Sequence, residues 1–74
     1  MLDRNEVIKG NKYLLNGKIV IVLSIHRPGN GESVSLSADV PEGVHPMSPL
    51  GVKYWLGTMA MRKFQKAAKL LTEV

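Results

Sequence analysis

Leu14-Leu15-Asn16-Gly17-Lys18-Ile19-Val20-Ile21-Val22-Leu23-Ser24-Ile25 decides the fold. The run from Ile19 is apolar and rich in β-branched residues, the composition that strands prefer. Asn16-Gly17 ahead of it is the strongest short hairpin signal, because both residues tolerate the positive φ that a two-residue turn requires. Such a turn sets Leu15 opposite Lys18 and Leu14 opposite Ile19. Two strands and their register follow from this stretch alone.

Working outward, Pro28-Gly29-Asn30-Gly31 is the next break. A four-residue loop there sets Arg27 opposite Glu32. It then pairs Ile25 with Val34, Leu23 with Leu36, Ile21 with Ala38 and Ile19 with Val40. On the other face His26 meets Ser33, Ser24 meets Ser35 and Val22 meets Ser37. Ser33, Ser35, Ser37 and Asp39 alternate with apolar neighbours, which predicts a strand over 32–40 with one wet face. Val20 and Val22 add apolar side chains to the second face, so the central strand is expected to be covered on both sides near its start. Glu6-Val7-Ile8-Lys9 is a candidate further short strand leading into Gly10-Asn11.

Beyond the strands, residues 41–51 carry Pro41, Gly43, Pro46, Pro49 and Gly51 and read as an extended connector. From Thr58, a reasonable N-cap after Gly57, the period becomes helical. Ala60, Phe64, Ala67 and Leu71 form one stripe, flanked by Leu56, Ala68 and Val74. Arg62, Lys66 and Lys69 recur on the opposite face, with Lys63 beside them. The expected architecture is a single α+β domain. A three- or four-stranded antiparallel meander over about 6–40, curled toward an SH3-like partial barrel, packs against one amphipathic helix over about 58–73. A helix running from Val52 places Trp55 on the basic face; a break at Gly57 frees it for the core. A small core with a single Trp favours burial.

The chain has 74 residues and no cysteine. Disulfides and Cys-ligated zinc are excluded, and stability must come from the core or from a partner. No apolar run approaches the ~20 residues that span a bilayer, and Met1–Glu6 is too polar for a signal peptide. A cytoplasmic protein without a membrane partner is expected. Net charge is +4, and it is unevenly placed. Residues 1–42 balance five bases against five acids, whereas 43–74 hold Lys53, Arg62, Lys63, Lys66 and Lys69 against Glu73 alone. This asymmetry points to nucleic acid or an acidic protein face; its plainer reading is a solvated helix face.

Catalytic signatures are lacking. His26 has only a cross-strand serine as its expected neighbour, with no carboxylate placed to build a triad. His45 falls in the connector, and two histidines without spaced carboxylates do not make a metal cage. Gly29-Asn30-Gly31 lacks the Gly-Lys-Ser/Thr ending and helix context of a phosphate loop. No enzyme activity, cofactor, metal or small-molecule substrate is expected. The candidate binding residues are Arg62, Lys63, Lys66 and Lys69, extended by Lys53 and Arg27. Trp55, Tyr54 and Met59 are candidate apolar anchors.

Gly10-Asn11-Lys12-Tyr13, Asn16-Gly17, Val34-Ser35-Leu36, Pro46-Met47-Ser48-Pro49-Leu50 and Trp55-Leu56 occur in this order. Over residues 10–56 that order resembles a group of small uncharacterised phage and prophage proteins. Gly51-Val52-Lys53-Tyr54 stand where such relatives often carry Thr and acidic residues, and the basic C-terminal segment is longer. The resemblance implies a mobile-element origin and action by binding, with host RNA polymerase as one expected kind of target. The leading expectation is a regulatory module that contacts nucleic acid or a transcription complex. The alternative is a protein-only inhibitor or adaptor docking on a host enzyme.

Overall fold

The computed structural model describes residues 1–29 and 31–71. β1 (Lys12–Leu15) and β2 (Lys18–His26) form the expected hairpin. Asn16 and Gly17 sit at φ 51° and 83°, the double positive φ of a type I′ turn. Leu15 pairs with Lys18 and Leu14 with Ile19. β3 (Ser33–Ala38) is antiparallel to β2, and His26–Ser33, Ile25–Val34 and Ser24–Ser35 pair as the loop register predicts.

Past that point the register departs from expectation. Leu23 is an extra residue, and Val22 pairs with Leu36, Ile21 with Ser37 and Val20 with Ala38. Such a bulge sets two residues against one, and with a side-chain period of two it exchanges the faces. In a regular strand Val22 and Ser24 would share a face. With the bulge, Val20, Val22 and Ile25 all reach the core beside Val34 and Leu36, while Ser24 stays out of it. The pairs Leu23–Leu36, Ile21–Ala38, Ile19–Val40 and Val22–Ser37 are therefore not formed. Ser37, expected on the wet face, is fully buried, and its hydroxyl donates to the Ala38 carbonyl at 2.9 Å.

The second half differs more. Residues 55–60, in part assigned to the helix, form β4 (Trp55–Ala60) against β3, with Leu56 as a second extra residue and Gly57 at φ +100°. The helix expected over about 58–73 is α1 (Met61–Ala67), and Ala68–Leu70 continue as β5, paired antiparallel to β1. Residues 72–73 of that helix, Val74 of its apolar stripe and Asn30 of the glycine turn lie outside the described residues. The sheet has five strands in the order β4-β3-β2-β1-β5, not three or four. Thr58, Met59 and Ala60 pair with Ser35, Val34 and Ser33 of β3, and the helix starts only where that ladder ends. Residues 68–70 favour helix by propensity, but pairing along the open edge of β1 satisfies their backbone and overrides it.

Residues 6–9 are not a strand. Arg4–Glu6 make a single 3-10 turn, and the Tyr13 hydroxyl fixes the chain just after it by donating to the Glu6 carbonyl (2.6 Å) and accepting from the Ile8 N–H (2.8 Å). The core gathers Leu2, Val7, Tyr13, Val20, Val22, Val34, Leu36, Met61, Phe64 and Ala68. The Phe64 ring meets Tyr13 edge-on, centroids 5.4 Å apart and planes at 87°. Ile21 and Leu23 are buried outside this cluster, where Pro46 and Met47 of the connector share clefts with them. The central strand is thus covered on both sides, as expected. Among the described residues no helix is long and apolar enough to cross a membrane.

Candidate binding surfaces

Met61 and Phe64 turn one side of α1 into the core and leave Arg62, Lys63 and Lys66 exposed on the other. Backbone contacts hold the helix in place. Met61 N–H donates to the Glu32 carbonyl at 2.9 Å, and Leu2 N–H donates to the Gln65 carbonyl at 2.9 Å. The Gln65 side chain returns a bond to the Leu2 carbonyl at 3.1 Å. Because the helix ends at Ala67, Lys69 does not continue its face. On β5 it shares a row with Leu14 and Ile19, while its neighbours Ala68 and Leu70 pack toward the core. The expected stripe of four cations is therefore three on α1 and one on the opposite face of the sheet. Of the expected apolar stripe, Phe64 is fully buried but Ala60 and Leu71 are exposed; Met61 and Ala68 take their place.

Lys53 and Arg27 are also exposed. The Lys53 ammonium lies 5.4 Å from the Tyr54 ring centroid, a cation–π distance. Arg27 opens the β2–β3 loop at φ 52°. Its expected partner Glu32 is taken by Arg4 instead. Arg4 Nε donates to both carboxylate oxygens at 3.0 and 2.9 Å, and Nη2 donates to Oε2 at 2.6 Å. The Arg4 hydrogen bonds hold the Glu32 carboxyl below the usual carboxylate range, and Glu32 in turn raises the Arg4 guanidinium. Lys12 pairs with Asp39 at 2.8 Å. Two acids are thus engaged, and residues 43–71 contribute five cations and no acid.

A depressed carboxyl stabilises the fold above its ordinary pKa, and the contribution is lost as pH falls through the lower folded value. Stability is therefore expected to decline in acid over that window. Glu32→Gln should be less stable at neutral pH and show a shallower acid decline. Chemical unfolding at a series of pH values measures both; parallel profiles for the two proteins would refute the coupling.

Trp55 is not in the core: it is 55% exposed. It lines a groove of about 240 Å³ together with Pro46, Met47 and Val52 of the connector and Ser24 and Ser35 of the sheet. Tyr54 is half-buried, and Met59 packs against the core. The His26 ring meets serines other than its ladder partner Ser33: its Nε2 lies 3.0 Å from Ser24 Oγ and 2.7 Å from Ser35 Oγ, and Ser24 and Ser35 line this groove. His45 shapes the connector, its Nδ1 accepting from Met47 N–H at 3.1 Å and its carbonyl from Ser48 Oγ at 2.6 Å. Among the described residues no three His, Cys, Asp or Glu side chains are placed to hold a metal ion.

Gly51 is a position that its sequence context did not single out beyond the connector. A Cβ there would fall 2.3 Å from the His45 carbonyl oxygen and 2.8 Å from Pro46 Cα, both backbone atoms. Gly51→Ala should displace the 45–51 turn and change the Trp55 emission while the strand ladders persist. Amide spectra in which residues 45–55 do not move would contradict this.

No known family model, curated protein or solved structure matches the chain.

Proposed function

We propose that the protein is a non-enzymatic regulatory binding module that contacts nucleic acid, alone or within a nucleoprotein complex, through the exposed face of α1. The meander, the short helix and the return of β5 to β1 suit an SH3-like partial barrel, a scaffold that carries the helix on its rim. One observation carries the reading. Arg62, Lys63 and Lys66 stand together on α1 within a 29-residue stretch that has no acid, while Glu32, bonded to Arg4, is already engaged. Phosphate oxygens take such donors, which form no ion pair among the described residues. A helix of seven residues spans about two turns, too short to read many base edges, so binding with little sequence preference is expected. Three phosphate contacts give a log–log salt slope of about −3 on duplex DNA.

Fluorescence anisotropy with short labelled duplexes and single strands tests this. Arg62→Glu, Lys63→Glu and Lys66→Glu together should abolish binding and leave the circular dichroism spectrum unchanged. Binding that survives the triple reversal would refute the assignment.

The exposed Trp55 supports a second reading, an inhibitor or adaptor that docks on an acidic face of another protein. Loss of partner capture in Trp55→Ala, with nucleic-acid affinity absent in the parent protein, would favour it.

A further inference from the structure

Arg62 belongs to the exposed face of α1 and also to a cleft beside it. The cleft, of about 460 Å³, lies between the start of α1, the β2–β3 loop and the N-terminal segment. Arg4, Glu32, Gln65 and the loop glycines Gly29 and Gly31 line it with Arg62. A water takes about 30 Å³ of the liquid, so the cleft has room for a hydrated polyatomic anion. Two arginines from opposite ends of the chain meet on it, against a single acid.

The cleft already holds an anion, and it is the chain's own. The Glu32 carboxylate accepts from Arg4 Nε at 3.0 and 2.9 Å and from Nη2 at 2.6 Å. The Gly29 backbone adds a further bond. An arginine fork reads carboxylate and phosphate through the same parallel N–H bonds. A guanidinium carries five N–H groups. Glu32 takes the one on Nε and one on Nη2, and the Val7 carbonyl receives one from Nη1 at 3.5 Å. Two N–H groups remain, on a side chain that is 42% exposed. Arg62 forms no ion pair among the described residues.

We infer that this cleft is a phosphate seat between Arg62 and Arg4, and that Glu32 is its built-in competitor. The phosphate takes the remaining N–H groups of Arg4 together with Arg62. The Glu32 carboxylate holds the rest of the Arg4 fork and opposes the incoming charge. Affinity is thereby kept below what two free arginines would give. Arg4 becomes a binding residue beside the α1 face, one that charge counting over 43–74 leaves out. The source of the phosphate, a nucleic-acid backbone, rests on the function proposed above; the seat itself does not.

Two probes separate the seat from its source. Inorganic phosphate titrated into the isotope-labelled parent should shift the amides of Gly29, Gly31, Arg62 and Gln65 saturably, and Glu32→Gln should tighten that binding. A labelled single-stranded oligonucleotide, followed by anisotropy, should bind Glu32→Gln about tenfold more tightly than the parent, the low end for one hydrogen bond to a charged group. Its log–log salt slope should steepen by about 0.7. Adding Arg4→Gln to Glu32→Gln should return affinity and slope to the parent values or below. Asp39→Asn also removes an acid bonded to a cation, Lys12, but at the other end of β3, about 20 Å away. That is beyond the ~8 Å Debye length, so it should change affinity by less than about twofold. All variants should keep the parent circular dichroism spectrum. Cleft amides that stay still under phosphate overturn the seat. An affinity that Glu32→Gln leaves unchanged, or that Asp39→Asn raises as much, overturns the competitor. Saturable phosphate binding in the cleft with no oligonucleotide bound supports the seat and refutes the nucleic-acid source.

Discussion

Phe64→Ala should lower the unfolding free energy by about 3–5 kcal/mol, the cost of emptying a filled aromatic site. Phe64 is fully buried, and its ring closes edge-on against Tyr13 across the space between α1 and β1. It joins the short helix to the sheet together with Met61, and the helix has only seven residues to hold it. A domain of this size has a total stability near the low end of the usual ~5–15 kcal/mol. The variant is therefore expected to be largely unfolded, or to melt far below the parent, in thermal and urea unfolding followed by circular dichroism. A variant that melts within a few degrees of the parent would contradict the packing of α1.

The second large effect belongs to one oxygen atom. Tyr13→Phe keeps the ring and removes the hydroxyl that donates to the Glu6 carbonyl and accepts from the Ile8 N–H. Two backbone groups in part-buried hydrogen bonds then lose that partner, which costs about 1–3 kcal/mol. The loss should be local. Leu2 and Val7 are core residues on the segment that the hydroxyl pins, and Arg4 on it reaches Glu32. Amide exchange should rise over residues 2–9 more than in β2 and β3. Uniform exchange rates in parent and variant would show that the hydroxyl does not anchor the segment.

The first hairpin was legible because its signal is local. Asn16-Gly17 demands positive φ, and that turn alone sets the pairs beside it. The bulge at Leu23 was not legible, because Leu23 and Val22 are equally acceptable on a buried face. The clue was Ser24, which a regular strand would place on the same face as Val22. The helical reading of 58–73 failed for a related reason. Short apolar runs fit a period of two or of 3.6 equally well. Ala-Lys-Leu at 68–70 favours helix by itself, and only the open edge of β1, more than fifty residues earlier, makes it a strand. Gly57 signalled the break, and the stretch before it became β4.

Among the functional residues, the identity of the cations was legible from charge counting, but their grouping was not. The change of Lys69 from helix to strand moves it to another face. The Arg4–Glu32 pair spans 28 residues and carries no sequence signature. A single Trp in a small chain reads as a core residue. Tyr13 and Phe64 fill that volume instead, and the surplus aromatic side chain lies on the surface.

The most direct test of the central claim is an amide NMR titration of the isotope-labelled protein with short single- and double-stranded DNA and RNA at low and moderate salt. The account predicts shifts centred on Arg62, Lys63 and Lys66, weakened but still present at moderate salt. No shifts, or shifts confined to Val52–Leu56, would contradict it and assign the basic face of α1 to solvent.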